Sequence, residues 1–182
     1  RTVNVVDTTA PVIVLNGDVN VTHEAGSPYQ DANASWADAV DGSGVVVGLG
    51  EVNAFVPGTY FIVFNLTDTS GNVSQSVTRE VKVFNTDPDD LSAIDPLQVF
   101  ENEPVGSVVG KFKASDSNGD DLTYYLVEEA NITDAYFKLD TNGTLIATKS
   151  FDYETDEHNY TITVRASDEY NGTVEGNFTI QL

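Results

Sequence analysis

The sequence predicts an all-β chain built as two tandem Greek-key β-sandwiches. Three observations carry this. Short apolar runs alternate with a period of two, and no segment carries an apolar stripe of 3.6-residue period. Gly, Pro, Asn and Asp separate the runs, as turns between strands require. Two stretches recur along the 182 residues, a length that suits two sandwiches of about 100 residues each.

The recurrences set the boundaries. Arg1-Thr-Val-Asn-Val-Val-Asp-Thr8 matches Arg79-Glu-Val-Lys-Val-Phe-Asn-Thr86. The opening residues therefore read as the last strand of a preceding unit, and 79–86 as the end of the next. The chain is expected to be a segment of a longer protein, divided into domains at 1–86 and 87–182. Residues 1–6 complete, or continue from, a preceding repeat, and 85–91 form the link. Tyr60-Phe-Ile-Val-Phe-Asn-Leu-Thr-Asp68 matches Tyr160-Thr-Ile-Thr-Val-Arg-Ala-Ser-Asp168. Alternation places Tyr60, Ile62, Phe64 and Leu66 on one buried face, and likewise Tyr160, Ile162, Val164 and Ala166.

In order, strands are expected near 11–15, 20–23, 32–37, 45–49, 58–67 and 73–84. The second half follows with strands near 97–101, 107–115, 122–128, 136–139, 144–148, 158–167 and 173–181. Asn142-Gly143 is a hairpin signal between Phe137-Lys-Leu and Leu145-Ile-Ala. Trp36 falls in the buried phase of its strand and is expected in the core.

Charge narrows the function classes. Twenty-nine acids against eight bases give a net charge of −21. Residues 1–84 hold 9 acids and 3 bases, and 85–182 hold 20 and 5, so the excess concentrates in the second half. Such a surface has no basic cluster to displace phosphate counterions, which excludes nucleic acid and anionic lipid as partners. It favours divalent cations. No apolar run is long enough to insert in a membrane. There are no cysteines, hence no disulfides, thiolate metal sites or thiol nucleophiles. N-x-Ser/Thr sequons occur at Asn20, Asn33, Asn65, Asn72, Asn131, Asn142, Asn159, Asn171 and Asn177, nine of the fifteen Asn residues. That density suggests an extracellular, cell-surface glycoprotein. Turn and outward-strand preferences of Asn and Thr are the competing account.

Five landmarks in the second half stand in the order of a cadherin repeat. They are Phe100-Glu101-Asn102-Glu-Pro-Val-Gly-Ser107, Ala114-Ser-Asp116-Ser-Asn118-Gly-Asp120, Phe137-Lys-Leu-Asp-Thr-Asn-Gly-Thr-Leu-Ile, Phe151-Asp152-Tyr-Glu154 and Val164-Arg-Ala-Ser-Asp168. Residues 87–182 thus resemble a cadherin-like domain. The resemblance implies Ca2+ held at the interdomain linker. Calcium takes six to eight oxygens, mainly carboxylate and carbonyl. Sandwich loops gather at the two ends, so strand-end acids distant in sequence become neighbours. Asp116, Asn118, Asp120 and Asp168 are expected to meet the linker residues Asn85, Asp87 and Asp89, with Glu24 as the first domain's contribution. Glu101, Asp152 and Glu154 are expected at the opposite end as a half-site completed by a following repeat. The linker Asn85-Thr-Asp87-Pro88-Asp89 departs from the family's Asp-x-Asn-Asp-Asn, and Asp116-Ser-Asn118 from its Asp-x-Asp. One or two calcium ions, not three, are therefore expected at the junction.

The first half resembles bacterial and archaeal Ig-like surface repeats. Asp7-Thr-Thr-Ala-Pro-Val-Ile-Val-Leu, Ala37-Asp-Ala-Val-Asp41-Gly, Pro57-Gly-Thr-Tyr60 and Thr67-Asp68-Thr-Ser-Gly-Asn72 carry the likeness. Asp7, Asp38, Asp41 and Asp68 fall at one end of that domain. Two readings stand for them: a second calcium site, or turn chemistry in which Asp binds its own backbone.

No nucleophile elbow, phosphate loop or His-rich metal motif is present, and His23 and His158 lie on alternating strands, so no enzyme is expected. The leading expectation is a calcium-stiffened structural or adhesion segment of a large surface protein. Its partners would be adjacent repeats, homophilic or other surface proteins, or glycans. The alternatives are a carbohydrate-binding module of a polysaccharide-degrading system, to which outward Phe61 and Val63 are a weak pointer, and a surface-layer lattice component.

Overall fold

A computed structural model of the chain describes residues 1–127 and 136–182. The chain is all-β and separates into two compact units, Arg1–Phe84 and Asn85–Leu182. Residues 1–11 of the first unit lie in no strand, and Val3, Val5 and Val6 are exposed. Six strands follow: β1 (Val12–Leu15), β2 (Asn20–Glu24), β3 (Ala34–Asp38), β4 (Gly42–Val46), β5 (Gly58–Phe64) and β6 (Val77–Phe84). One sheet has the order β1-β3-β4, all antiparallel; the other is β2-β6-β5, with β2 parallel to β6. Ile13 and Ala34 from the first sheet meet Ile62, Phe64, Val81 and Val83 from the second in one apolar core. Full burial of a side chain such as Phe64 contributes about 1.5–3 kcal/mol. Trp36 is half-buried against this cluster.

One buried residue was not legible as core. Arg79 shares the inward phase of β6 with Val81 and Val83 and is 1 % exposed. Its Nη1 donates to both carboxylate oxygens of Asp31 at 2.6 Å, and its Nε donates to the Asp18 carbonyl at 2.9 Å. Its Nη2 donates to the Asn16 carbonyl. Burial raises the Asp31 pKa, but the hydrogen bonds from Arg79, the Asn33 amide and the Tyr29 hydroxyl, together with the Arg79 charge, outweigh it and hold the carboxyl below its ordinary value. A guanidinium tolerates burial only when its charge and donors are matched this way.

The third and fourth strands depart from the expected bounds. The Val45-Val46-Val47 run suggests a strand at 45–49, yet β4 starts at Gly42 and pairs Gly44 with Trp36. A Cβ at Gly44 would sit 2.8 Å from the Trp36 indole nitrogen, so the strand needs glycine there to make room for the ring.

The second unit contains β7 (Asp89–Ala93), β8 (Val108–Ser115), β9 (Thr123–Leu126), β10 (Phe137–Leu139), β11 (Thr144–Ala147), β12 (Asn159–Ser167) and β13 (Thr173–Gln181). Its sheets are β10-β11-β8-β7 and β13-β12-β9. Phe112, Phe137, Phe151, Tyr160, Ile162, Val164 and Ile180 fill the core between them. The Phe137 and Phe151 rings stack at 5.6 Å, with Tyr160 edge-on to both. The expected strand near 97–101 is corrected to a shorter contact. Leu97 and Val99 are buried, but only a single parallel bridge, Gln98 to Gln181, joins this stretch to β13. The acidic stretch assigned to the linker instead supplies β7, whose Leu91 and Ala93 pack on the core. The far end of the expected 122–128 strand, and the sequon at Asn131, lie outside the described residues.

Candidate metal centres

Three groups of acids converge, each within a single unit. In the second unit, Asp116 follows the last residue of β8 and Asp168 the last residue of β12. Asp116, Asp120 and Asp168 bring carboxylate oxygens within 4.8 Å of one another. The turns that hold them use one oxygen each. Asp116 Oδ1 accepts the amides of Asn118 at 2.8 Å and Asp120 at 3.2 Å. Asp168 Oδ1 accepts those of Tyr170 and Gly172, both at 2.8 Å, around Asn171 in the left-handed conformation (φ 69°).

The start of the unit folds onto these loops. Asn85 Nδ2 donates to Asp168 Oδ2 at 2.7 Å, and the Thr86 amide donates to Asn118 Oδ1 at 2.8 Å. Asp168 and Asn118 are both buried. Gly172 sits where side chains close in: a Cβ there would collide with Asp168 Oδ2 and lie 2.8 Å from Asp87 Oδ1. Asp87 and Asp89 are both exposed, and the Asp89 backbone pairs with Ser115 as the first residue of β7. Glu24 ends β2 in the first unit, so the cluster described here is built from the second unit alone.

Asn85 Oδ1, Asp116 Oδ2 and Asp120 Oδ2 are shielded from solvent and have no hydrogen-bond donor among the described residues. Burial, then the charges of Asp116, Glu169, Asp168 and Asp121, pushes the Asp120 carboxyl above its ordinary range. Shielded, unpartnered oxygens with crowded negative charge suit a hard cation, which would supply the missing partner and cancel the repulsion.

Glu101, Asp152 and Glu154 also come within 4.8 Å, but all three are exposed. The Asn102 amide donates to the Phe151 carbonyl at 2.9 Å, which brings the two loops together. Asp152 Oδ1 accepts the Glu154 amide at 3.0 Å. In the first unit, Asp7, Asp41 and Asp68 form the third group.

The two histidines have local partners: His23 Nε2 meets the Ser27 carbonyl at 2.8 Å, and His158 Nε2 the Tyr153 carbonyl at 2.9 Å. Phe61, on the outer face of β5, is exposed. Arg79 and its Asp31 partner are the pair that reading the sequence missed. The signal was the placement of Arg79 in register with Val81 and Val83.

Fold and acid clusters together describe paired β-sandwich domains of the kind found in surface proteins. Residues 13–83 match the family described as bacterial surface protein, Ig-like domain, and residues 95–182 match the cadherin domain. The chain carries a bacterial surface Ig-like domain followed by a cadherin domain. Cadherin domains generally bind Ca2+. Similar solved structures include the protocadherin gamma B7 extracellular cadherin domains 1–4, at 20 % identity and TM-score 0.46, covering 94 % of this chain and 50 % of that one. Drosophila N-cadherin EC1–3 is 13 % identical with TM-score 0.48, covering 95 % and 67 %. The third cadherin domain of human protocadherin 7 is 18 % identical with TM-score 0.43, covering 51 % and 85 %. The chain spans about half the length of the first of these. No curated protein sequence matches it. Among the described residues no helix is long and apolar enough to cross a membrane.

Proposed function

We propose that this chain is a calcium-stiffened structural or adhesion segment of a large extracellular surface protein, with Ca2+ held by Asp116, Asp120, Asp168 and Asn118 together with Asn85 and Asp87. The observation that carries this reading is the convergence of carboxylates from Asp116, Asp120 and Asp168, with Asn85 bonded to Asp168, in a cluster where Asn85 Oδ1, Asp116 Oδ2 and Asp120 Oδ2 are shielded and have no donor among the described residues.

The physical role follows from the chain path. A short linker between domains leaves them free to swing unless something fixes it. Asn85 and Thr86 already bond to Asp168 and Asn118, so a cation taking oxygens from the same residues would lock the linker to the second unit. Without the cation, repulsion among the carboxylates opposes that arrangement; with it, the same charges favour it. Glu101, Asp152 and Glu154 form an exposed half-set in this scheme, and a following repeat would complete it. Neighbouring repeats of the same protein are then the first partners, and no catalytic step is assigned.

Isothermal titration of chelator-treated protein with CaCl2 tests the assignment. Saturable binding that weakens in Asp120→Asn supports it. Equal binding by parent and variant would remove these residues from the site.

A further inference from the structure

We infer that the first unit carries a calcium-class cation site of its own, held by Asp7, Asp38, Asp41 and Asp68 and independent of the cluster in the second unit. The four acids come from three stretches. Asp7 lies before β1, Asp38 ends β3, Asp41 stands in the β3–β4 turn, and Asp68 follows β5. Asp7, Asp41 and Asp68 each place a carboxylate oxygen within 4.8 Å of the others; Asp38 stands outside that group and adjoins it through the Asp41 amide.

How each acid divides its two oxygens decides between a metal and turn chemistry. Asp7 Oδ1 accepts the Thr9 amide at 3.0 Å. Asp38 Oδ1 accepts the amides of Val40 at 2.7 Å and Asp41 at 2.9 Å. Asp41 Oδ1 accepts the Thr69 hydroxyl at 2.6 Å. The turns are complete with these. The second oxygens, Asp7 Oδ2, Asp38 Oδ2 and Asp41 Oδ2, are shielded from solvent and have no hydrogen-bond partner among the described residues. A turn requires one acceptor per residue, which Asn would supply without charge. Three shielded carboxylate oxygens without a donor are costly unless a cation takes them. No base relieves them: Arg79 is committed to Asp31, and no other ion pair occurs among the described residues of this unit.

The internal repeat supplies a second, independent argument. Aligning 1–8 with 79–86 places Asp7 opposite Asn85, and aligning 60–68 with 160–168 places Asp68 opposite Asp168. The structure brings each pair together within its own unit. Asn85 Nδ2 bonds Asp168 Oδ2, and in the first unit Asn72 Nδ2 donates both to Asp68 Oδ2 at 2.7 Å and to the Asp7 carbonyl at 3.4 Å. In both units the aligned residue upstream of the first strand also presents a shielded oxygen with no donor among the described residues, Asp7 Oδ2 or Asn85 Oδ1. All available donors are hard oxygens, without thiolate, which selects calcium over softer metals.

The test is a CaCl2 titration of the full 182-residue chain, 15N-labelled and first stripped with chelator, followed amide by amide. Val40, Asp41, Ser70 and Asn72 report the first unit, and Asn118 and Tyr170 the second. The first set should shift saturably by roughly millimolar calcium. It should still do so in Asp120→Asn, which separates this site from the one proposed above. In Asp41→Asn, and separately in Asp38→Asn, the apparent affinity of the first set should fall roughly tenfold or more while the second set titrates as before. Asn keeps each turn's Oδ1 acceptor, so the folded spectrum should persist. First-unit amides unmoved up to about 10 mM calcium, or titrating in both variants as in the parent, would overturn the proposal.

Discussion

Replacing Asp31 by Ala should destabilise the first unit more than any surface change, because it strands a buried charge. Arg79 is 1 % exposed and the Asp31 side chain 16 %, so water cannot solvate the guanidinium once its partner is gone. The donors to the Asp18 and Asn16 carbonyls would remain, but they carry no compensating charge. Removing one member of a buried pair costs about 3–5 kcal/mol. With a urea slope of about 2 kcal/mol/M, the midpoint should fall by roughly 2 M. Trp36 is the only tryptophan and packs on this unit's core, so its fluorescence isolates the relevant transition. The double variant Asp31→Leu/Arg79→Met removes both charges and should recover most of the loss. A midpoint drop below about 0.5 M in Asp31→Ala, or a double variant as unstable as the sum of the single changes, would refute the reasoning.

The same pair sets a pH dependence. Asp31 has a lowered pKa in the fold, so its contribution is present above the ordinary value of 3.8 and is lost as pH falls through the folded value. Trp36-detected stability should therefore drop below about pH 4, and Asp31→Asn should flatten that drop. In chelator, Asp120→Asn should stabilise the second unit by removing one of the crowded charges, whereas in calcium it should lower the affinity; thermal melts in both buffers read both signs. Gly172→Ala should weaken calcium binding, because the added Cβ collides with Asp168 Oδ2 and crowds Asp87 Oδ1. Parent-like titration of that variant would mean those carboxylates are free to move aside.

Strand pairs with clean alternation were the readable part of the fold. Ile62 and Phe64 in β5, and Ile162 and Val164 in β12, are buried where a period of two places them, because apolar side chains on one face of a half-buried strand have one way to face. β7 was hidden for the opposite reason. Its opening Asp89-Asp90 reads as solvated linker, and the strand exists because its backbone pairs with β8 while Leu91 and Ala93 cover the core. Arg79 was hidden because a charge in an inward position breaks the binary pattern. Only its partner Asp31, 48 positions away, makes the burial sensible, and no local pattern links the two.

At the candidate sites, strand-end position brought Asp116 and Asp168 to one place, as the topology of a sandwich dictates. Asp89 was grouped with them through the likeness of Asn85-Thr-Asp87-Pro88-Asp89 to the cadherin linker, and its backbone pairs with Ser115 as a strand residue. Which oxygen of each acid is spent on a turn, and which is left without a donor, depends on side-chain rotamers that no spacing rule reveals.

Thermal unfolding of the full chain with excess chelator and then with saturating calcium tests the central claim most directly. Trp36 fluorescence marks the first unit's transition, so the other transition seen by circular dichroism belongs to the second unit. At calcium a hundredfold above its dissociation constant, linkage gives about 2.7 kcal/mol, which for a unit of this size is a rise of roughly 10 °C or more. A second-unit transition that moves by less than about 2 °C between the two conditions would contradict a calcium-stiffened segment.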